Sequence, residues 1–294
     1  MARTGRRREL EERLEGRRVL ITGAARGIGA SLARRLYARG ARVALLGLEP
    51  ELLEQVATMC GGAPWQVCDV RDGDQVQRAV DALAGELGGL DVVVANAGVA
   101  AQLPLLGGDP DVMVRTVEVN LIGTYNTVRA AGPLVAHPGG YVLLVASAAA
   151  GVQLPLMGAY AASKAAVEAL GNTLRLETKH LGLRVGVGYL AEVDTDMTAI
   201  GFATEAAGQI KGLGPFTRVA PRAVGVDAFE KGIAVRARRI YAPRWVAPMM
   251  RLRMLTQRTI ELRPQPRMAA ALDAARAEHA RLTTELPDRA GEAE

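Results

Sequence analysis

Short, almost wholly apolar runs alternate with helical stretches along the first two thirds of this 294-residue chain. The runs at 19–21, 92–95 and 141–145 contain no charged residue. Strands this apolar, separated by helices, are typical of a parallel sheet that is covered on both faces. With right-handed crossovers, the pattern predicts a doubly wound α/β fold of three layers, α/β/α.

The other predicted elements follow the same alternation. Further strands are expected at 43–46, 65–68, 184–189 and 239–241, and helices at 28–39, 51–59, 75–87, 160–181 and 269–282. The segment 111–136 is long enough for one extended helix or two joined helices. Residues 197–220 are Gly-rich and poorly periodic, which weakens the pattern there.

Charge and cysteine content limit the classes of protein to consider. The chain has 36 basic and 31 acidic residues, a net charge of +5. Five of the arginines lie before residue 14, so we interpret residues 1–16 as a basic, disordered tail and not as a nucleic-acid contact. Cys60 and Cys68 form no CxxC pair and the histidines are isolated, so we expect reduced thiols and no metal site. The N-terminus lacks the apolar run of a secretory signal, so we expect a cytoplasmic protein.

A glycine-rich turn follows the first predicted strand and opens the first predicted helix. Glycines permit a tight turn and let the backbone approach a pyrophosphate, whose charge the helix N-terminus stabilises. The strand–turn–helix context therefore predicts a dinucleotide-binding site. The residues of this turn that would face the cofactor are Gly23, Arg26, Gly27, Ile28 and Gly29.

The end of the second predicted strand bears on the choice between NAD and NADP. The common dinucleotide fingerprint places an acid there, which binds the ribose 2′-hydroxyl. This chain has Gly47 at that place, which removes a barrier to a 2′-phosphate, and Arg26 could supply positive charge. Glu49 lies nearby and could still bind a ribose hydroxyl. The balance favours NADP(H) slightly over NAD(H).

Two residues one helical turn apart carry the chemistry. Tyr160 and Lys164 are four positions apart, so their side chains point the same way. A free tyrosine has a pKa near about 10, too high for a base at neutral pH. A cationic lysine close by lowers that pKa and prepares the tyrosine for general acid–base catalysis. Ser147 follows the fifth strand, at the carboxyl edge where open α/β sheets place their ligands.

Taken in order, these motifs resemble those of the short-chain dehydrogenase/reductase family, whose members have a Rossmann-type fold. The motifs are the glycine-rich turn, Asn96-Ala97-Gly98, Asn120, Ser147 and Tyr160-Ala161-Ala162-Ser163-Lys164. Any one of them is a weak signal, but the ordered set spans most of the region from 17 to 242. The resemblance therefore identifies this region as a single Rossmann-fold catalytic domain.

The resemblance implies a role for each matching residue. Tyr160 would exchange a proton with the substrate oxygen, Lys164 would hold the nicotinamide ribose and tune Tyr160, and Ser147 would orient the carbonyl or alcohol. Asn120 would support a water relay to Lys164, and Asn96 would stabilise the central sheet and the cofactor pocket. The other implied cofactor contacts are Ala97 and Gly98 beside Asn96, Asp69 and Val70 at the adenine, and Val193 and Thr195 near the nicotinamide carboxamide.

The chain departs from the family pattern at two places. Ala95 stands where the family usually has a second asparagine, and Leu190-Ala191 replaces the Pro-Gly pair expected after the sixth strand. Loss of Pro-Gly alters the loop that cups the nicotinamide. It bears on cofactor geometry and efficiency and not on the fold.

Residues 243–294 are interpreted as an appended, amphipathic and helical extension. Within it, residues 244–262 mix apolar and arginine side chains. Such a stretch could pack as a lid over the site, pack against a partner subunit, or lie weakly on an anionic membrane surface. The resemblance also implies a homodimer or homotetramer formed through 111–136 and 160–181.

The leading hypothesis is an NAD(P)(H)-dependent oxidoreductase that interconverts a secondary alcohol and a ketone. Because residues 197–220 carry few charges, we expect a lipophilic small molecule as substrate, and no nucleic-acid partner. Two alternatives remain: an imine or activated-alkene reductase on the same scaffold, and a catalytically silent dinucleotide-binding sensor or interaction protein. The presence of Ser147, Tyr160 and Lys164 argues against the silent protein.

Overall fold

The computed structural model describes residues 9–201, 204–210, 218–278 and 282–287. Its centre is a parallel sheet of seven strands in the order β3-β2-β1-β4-β5-β6-β7. The strands are β1 (Arg18–Thr22), β2 (Arg42–Gly47), β3 (Trp65–Val67), β4 (Val92–Ala95), β5 (Tyr141–Ser147), β6 (Arg184–Leu190) and β7 (Arg239–Ala242). The order reverses between β1 and β4, which is where a sheet of this kind opens a crevice at its carboxyl edge.

Helices cover both faces of the sheet. They are α1 (described over residues 9–14), α2 (Gly27–Tyr37), α3 (Pro50–Met59), α4 (Gly73–Leu87), α5 (Pro110–Val117), α6 (Gly123–Val135), α7 (Gly158–Glu177), α8 (Asp196–Gly201), α9 (Glu205–Gln209), α10 (Arg222–Ala234), α11 (Val246–Arg251), α12 (Arg253–Glu261) and α13 (Met268–Ala277). Buried side chains of α2, α3 and α10 form one core with the sheet, and those of α4, α6 and α7 form the other. The predicted doubly wound, three-layer fold is confirmed.

Strand β5 illustrates why the apolar runs belong in the middle of the sandwich. It pairs with β4 on one side and β6 on the other, and all seven of its residues are buried. Tyr141, Leu143 and Val145 face one core, whereas Val142 and Leu144 face the other. A strand that is covered on both faces needs apolar residues at every position.

The termini and the crossover helices show where the pattern in the sequence was incomplete. The predicted disordered tail over 1–16 is wrong for residues 9–14, which are helical because Leu10 and Leu14 bury their side chains in the core; residues 1–8 lie outside the described part. Sequence periodicity also missed α10, whose apolar residues do not form one clear stripe. The helix predicted at 269–282 ends at Ala277.

The segment expected to hold one or two helices is continuous. A π-helical turn, Glu118–Ile122, joins α5 to α6. Single π-helical turns inside longer helices occur frequently at functional sites. Exposed apolar side chains lie along α5, this turn and α6, at Val114, Ile122 and Tyr125. The subunit interface that the resemblance implies for this segment stays a prediction.

The segment after β7 packs partly on the elements that precede it. Val246, Met249 and Met250 are buried in the core on the α4 side. By contrast, Met254 and Leu255 are 81% and 62% exposed. Among the described residues, no helix is both long and apolar enough to cross a bilayer.

A charged pair joins β1 to the loop that precedes β4. Arg18 Nε and Nη2 each donate to the Asp91 carboxylate at 2.9 Å, and the backbone N–H of Arg18 donates to it as well. These bonds from Arg18 lower the pKa of Asp91 to about 2. The two-point contact therefore fixes the carboxylate in its ionised form.

We expect Asp91→Asn to lower the free energy of unfolding at pH 7 by about 2 kcal/mol, because a charge-assisted pair in a half-buried site is lost. In the native chain, this contribution is complete above the unfolded pKa of about 4 and is lost as the pH falls toward the folded pKa. Urea denaturation at several pH values checks both statements. Asp273→Asn, on exposed α13, is the matched control; equal effects of the two substitutions would contradict the account.

Candidate active site

The glycine-rich turn is built by close backbone contacts. Gly23 has φ +63°, and a Cβ there would lie 2.8 Å from the Cα of Ala97. A Cβ at Gly29 would lie 2.1 Å from the carbonyl oxygen of Gly23. Helix α2 begins at Gly27, and its N-cap residue Arg26 makes no side-chain capping bond. The first turn of α2 thus presents backbone N–H groups that suit an anion such as a pyrophosphate.

Polar contacts join the ends of β1 and β4 under this turn. The Thr22 hydroxyl accepts from the backbone N–H groups of Asn96 and Ala97 at 3.0 and 3.1 Å. The Asn96 amide donates to the carbonyl oxygens of Thr22 and Gly23 at 2.9 and 3.2 Å. Asn96 therefore holds the glycine turn against β4, although the family's second asparagine is replaced by Ala95.

A cavity of about 240 Å³ opens at the carboxyl edge of the sheet, above these contacts. It brings together nearly all of the site residues that the sequence suggested. Those that line it are Gly23, Arg26, Gly27, Ile28, Asp69, Val70, Asn96, Ala97, Gly98, Ser147, Tyr160, Lys164, Val193 and Thr195. Gly29 and Asn120 do not line it. Gly29 belongs to the glycine turn behind the lining, and Asn120 contacts the lining residue Val99.

Ser147 and Tyr160 meet on one wall of the cavity. Ser147 ends β5, and its hydroxyl donates to the carbonyl oxygen of Leu190 at 3.2 Å. Tyr160 is 9% exposed, and burial raises the pKa of its phenol, while a hydrogen bond with Ser147 acts in the opposite direction. Leu190, at the place of the family's proline, thus contacts Ser147 through its backbone. The phenol is kept in its protonated form.

Lys164 lies beside Tyr160 on α7 and is 4% exposed. Its Nζ lies 5.8 Å from the centroid of the Tyr160 ring and donates to the carbonyl oxygen of Val145 at 3.0 Å. Burial lowers the pKa of Lys164 to about 8. The expected lowering of the Tyr160 pKa by Lys164 is not among the effects acting on that phenol, where burial dominates.

Asn120 lies in the π-helical turn and is fully buried. Its side chain accepts from Val99 N at 2.8 Å and donates to the Ser163 hydroxyl at 2.9 Å. A Cβ at Gly98 would lie 3.0 Å from Asn120 Oδ1 and 3.2 Å from Lys164 Nζ. Gly98 therefore lets the amide and the ammonium approach each other from two different helices.

The opposite end of the cavity holds two ion pairs. Arg26 Nε lies 3.1 Å from Glu49 Oε1, at the end of β2. Arg71 contacts the Asp69 carboxylate at 2.6 Å, just after β3. Asp69, expected at the adenine, thus has its carboxylate held by Arg71. The Arg26 guanidinium is likewise already bound to a carboxylate.

Several residues of the cavity were missed by sequence reasoning. Glu192 lines it close to Tyr160, and burial raises the pKa of the Glu192 carboxyl. Its place in the sequence could have indicated it, since Glu192 directly follows Leu190-Ala191, which replaces the family's Pro-Gly pair near the nicotinamide. The others are apolar or distant in sequence and gave no signal: Val152, Leu154, Met157, Met249, Thr283, Thr284 and Leu286.

The described residues contain no group of three or more histidine, cysteine or acidic side chains placed to hold a metal ion. Cys60 and Cys68 are both free and buried. Burial raises their pKa values to about 11 and about 12, which keeps the thiols protonated. Beside the Glu192 carboxyl, this end of the cavity holds the hydroxyl of Ser147, the phenol of Tyr160 and the ammonium of Lys164, which can exchange a proton with a substrate oxygen.

The family model of the short chain dehydrogenases matches residues 17–206. The chain belongs to the short-chain dehydrogenase/reductase family. It is accordingly an NAD(P)-dependent oxidoreductase of CH–OH and C=O groups. The matched segment contains all four predicted catalytic residues and ends before the C-terminal extension begins.

Named relatives of this short-chain dehydrogenase/reductase agree with that class. D-threitol dehydrogenase of Mycolicibacterium smegmatis is 37% identical over 182 residues, which cover 60% of this chain and 70% of that protein. The 2,3-dihydro-2,3-dihydroxybenzoate dehydrogenase of Bacillus subtilis is 32% identical over 189 residues, or 63% of this chain and 72% of that one. A short chain dehydrogenase from Mycobacterium paratuberculosis, crystallised bound to NAD, superposes with a TM-score of 0.69 and 31% identity over 78% of this chain and 97% of that chain.

Proposed function

We propose that this enzyme interconverts a secondary alcohol and a ketone on a small molecule, with Tyr160 as the general acid–base group. The observation that carries the proposal is that Ser147, the buried phenol of Tyr160 and Lys164 line one cavity, with Lys164 Nζ 5.8 Å from the centroid of the Tyr160 ring. A substrate oxygen that contacted both hydroxyls would lie within reach of the proton that the reaction has to move.

The residues of the cavity fit a dinucleotide. The glycine turn leaves room for a backbone approach at Gly23 and Gly27, and the first turn of α2 suits the diphosphate. We assign the adenine end to Asp69 and Val70, and the nicotinamide end to the remaining lining residues from the family pattern: Asn96, Ala97, Gly98, Tyr160, Lys164, Val193 and Thr195. When bound, the nicotinamide supplies or accepts the hydride.

Burial keeps the Tyr160 phenol protonated before the substrate binds. Because its pKa is raised, the phenol donates a proton to a carbonyl oxygen during reduction, and in the oxidation direction the same oxygen has to accept the proton of the alcohol. Lys164, with its pKa at about 8, carries positive charge at neutral pH and is assigned the nicotinamide ribose. Asn120 holds Val99 and Ser163 around this pair and is assigned the relay to Lys164.

We expect Tyr160→Phe to lower kcat by roughly 10²- to 10⁴-fold, the range that general acid–base groups contribute. Its dinucleotide Kd should stay within about threefold, since the glycine turn is untouched. Turnover of a ketone panel and calorimetry measure the two quantities. Tyr37→Phe, at the exposed last residue of α2, is the control and should leave both unchanged. Substantial activity in Tyr160→Phe would instead favour imine or activated-alkene reduction.

We propose NAD(H) as the preferred cofactor, although position 47 lacks the usual acid and the sequence alone favours NADP(H). Glu49 supplies a carboxylate at the same end of β2, and it is paired with Arg26 at 3.1 Å. A 2′-phosphate would have to displace Glu49 from Arg26 and would be repelled by it. The relative from Mycobacterium paratuberculosis, bound to NAD, supports this choice.

Replacement of Glu49 tests the cofactor preference. We expect the native chain to bind NAD more tightly than NADP, and Glu49→Gln to reduce that preference by about fivefold or more, since about 1 kcal/mol of charge repulsion is removed. Calorimetric Kd values for both dinucleotides give the ratio. Glu51→Gln, two residues further on and exposed, should keep the native ratio. Tighter binding of NADP by the native chain would contradict the proposal.

We propose a substrate that is mainly apolar but carries a second hydrogen-bond donor near the reacting carbon. The substrate end of the cavity has apolar walls at Val152, Leu154 and Met249. Among them, the Glu192 carboxylate is close enough to Tyr160 to raise its pKa. Threitol and dihydrodihydroxybenzoate, which the names of two relatives give, are both vicinal diols. A hydroxyl next to the reacting one could donate to Glu192.

Paired substrates test this assignment. We expect a higher kcat/KM for a cyclic vicinal diol than for the matching mono-alcohol. In Glu192→Gln, the ratio of the two kcat/KM values, diol over mono-alcohol, should fall about tenfold, the size of a hydrogen bond to a charged group. Glu177→Gln, at the exposed end of α7, should keep the native ratio. If Glu192→Gln lowered both rates equally, the residue would not select the second hydroxyl.

A further inference from the structure

Residues 282–287 of the extension lie along the cavity and are called the C-terminal strap below. Thr283 is 4% exposed and pairs with Ala100, which lies in the loop after β4. Its backbone N–H donates to the carbonyl oxygen of Ala100 at 3.1 Å, and its hydroxyl accepts from Ala100 N, also at 3.1 Å. The strap is therefore seated on the main chain of the catalytic domain.

Two arginines hold the strap at further points: Arg26, which lines the cavity, and Arg71, which is paired with the lining residue Asp69. Arg26 Nη2 donates to the carbonyl oxygen of Thr283 at 2.8 Å and also contacts the Thr284 hydroxyl. Arg71 Nη2 donates to the carbonyl oxygen of Pro287 at 2.6 Å. The same arginines bind the carboxylates at the ends of β2 and β3. Each guanidinium thus links the strap to the adenosine end of the cavity.

Apolar contacts and α13 complete the attachment. Leu282 and Leu286 pack against the core on the α4 side. Upstream, the Glu278 carboxylate, just past α13, accepts from the backbone N–H of Glu205 at the start of α9 at 2.8 Å. Glu278, upstream of the strap, is therefore attached to α9, and the strap itself ends beside Arg71.

We infer that the C-terminal strap is a part of the dinucleotide site: it forms the outer wall over the adenosine half and has to open for the cofactor to exchange. This inference rests on the proposed function. Thr283, Thr284 and Leu286 line the same cavity as Gly23, Gly27 and Asp69, so the strap adds a wall to the cavity and does not fill it.

The contacts of the strap have to break for the cofactor to pass. Arg26 and Arg71 hold the main chain of the strap at Thr283 and Pro287, at the adenosine end of the cavity. Entry and exit of a dinucleotide therefore need these bonds to open. Once the strap reseats, it blocks escape, so its effect falls mainly on the dissociation rate.

Stopped-flow binding of NADH tests the inference with the full chain, with a chain that ends at Glu278, and with Thr283→Val. Thr283→Val removes the acceptor for Ala100 N at nearly constant volume. We expect the dissociation rate to rise about tenfold or more in the shortened chain and severalfold in Thr283→Val, with weaker binding in both. Thr259→Val, on exposed α12, is the matched control and should stay within about twofold.

Two results would overturn the strap as an outer wall. One is an unchanged dissociation rate in both variants; the other is tighter binding in the shortened chain, which would make the strap a competitor of the cofactor. If the shortened chain does not fold, Thr283→Val decides. If the full chain binds no dinucleotide at all, the proposed function fails and this inference falls with it, which is a different outcome from binding that the variants leave unchanged.

Hydrogen exchange gives a readout that does not need turnover. In the full chain, we expect NAD to slow the exchange of the Ala100 amide and of the amides of residues 282–286, because the strap closes over the bound cofactor. Faster exchange at these amides on addition of NAD, or no change, would contradict closure.

Discussion

The position of the site depends on the contacts between Thr22 and Asn96 at the ends of β1 and β4. The strand order reverses between these two strands, so their carboxyl ends diverge and no crossover helix closes the gap. The Thr22 hydroxyl and the Asn96 amide join the two ends through four hydrogen bonds. A Cβ at Gly23 would lie only 2.8 Å from the Cα of Ala97, so the glycine turn packs directly against the residue after Asn96. These bonds therefore also fix the glycine turn and, with it, the floor of the cavity.

The two ends of the cavity handle charge in different ways. At the adenosine end, Arg26 and Arg71 are each paired with a carboxylate, so each charge faces an opposite charge. At the catalytic end, the buried Lys164 donates to the carbonyl oxygen of Val145 and not to a carboxylate of the described residues, and desolvation lowers its pKa to about 8. An ammonium group that is shielded from water interacts strongly with any negative charge that develops during the reaction.

Much of the fold and of the catalytic set could be predicted from the sequence, because both depend on local patterns. The apolar runs predicted the strands of the sheet, and the four-residue spacing of Tyr160 and Lys164 predicted that they lie on the same side of one helix. Helix α10 was missed because it is buried on both β7 and α2 and so has no single apolar stripe. Helix α1 was missed because most residues around Leu10 and Leu14 are charged. Contacts between residues far apart in the sequence, such as Arg26 with Thr283, follow from the tertiary fold and leave no periodic signal.

The central claim is that the cavity brings a secondary alcohol and a nicotinamide together for direct hydride transfer, with the proton handled by Tyr160. A secondary alcohol with deuterium on the carbinol carbon tests this most directly, when the enzyme oxidises it in the presence of NAD and the products are analysed by mass spectrometry. We expect the reduced nicotinamide to carry the deuterium. Deuterium released to water, or retained in an alcohol that is not oxidised while the dinucleotide is bound, would contradict it.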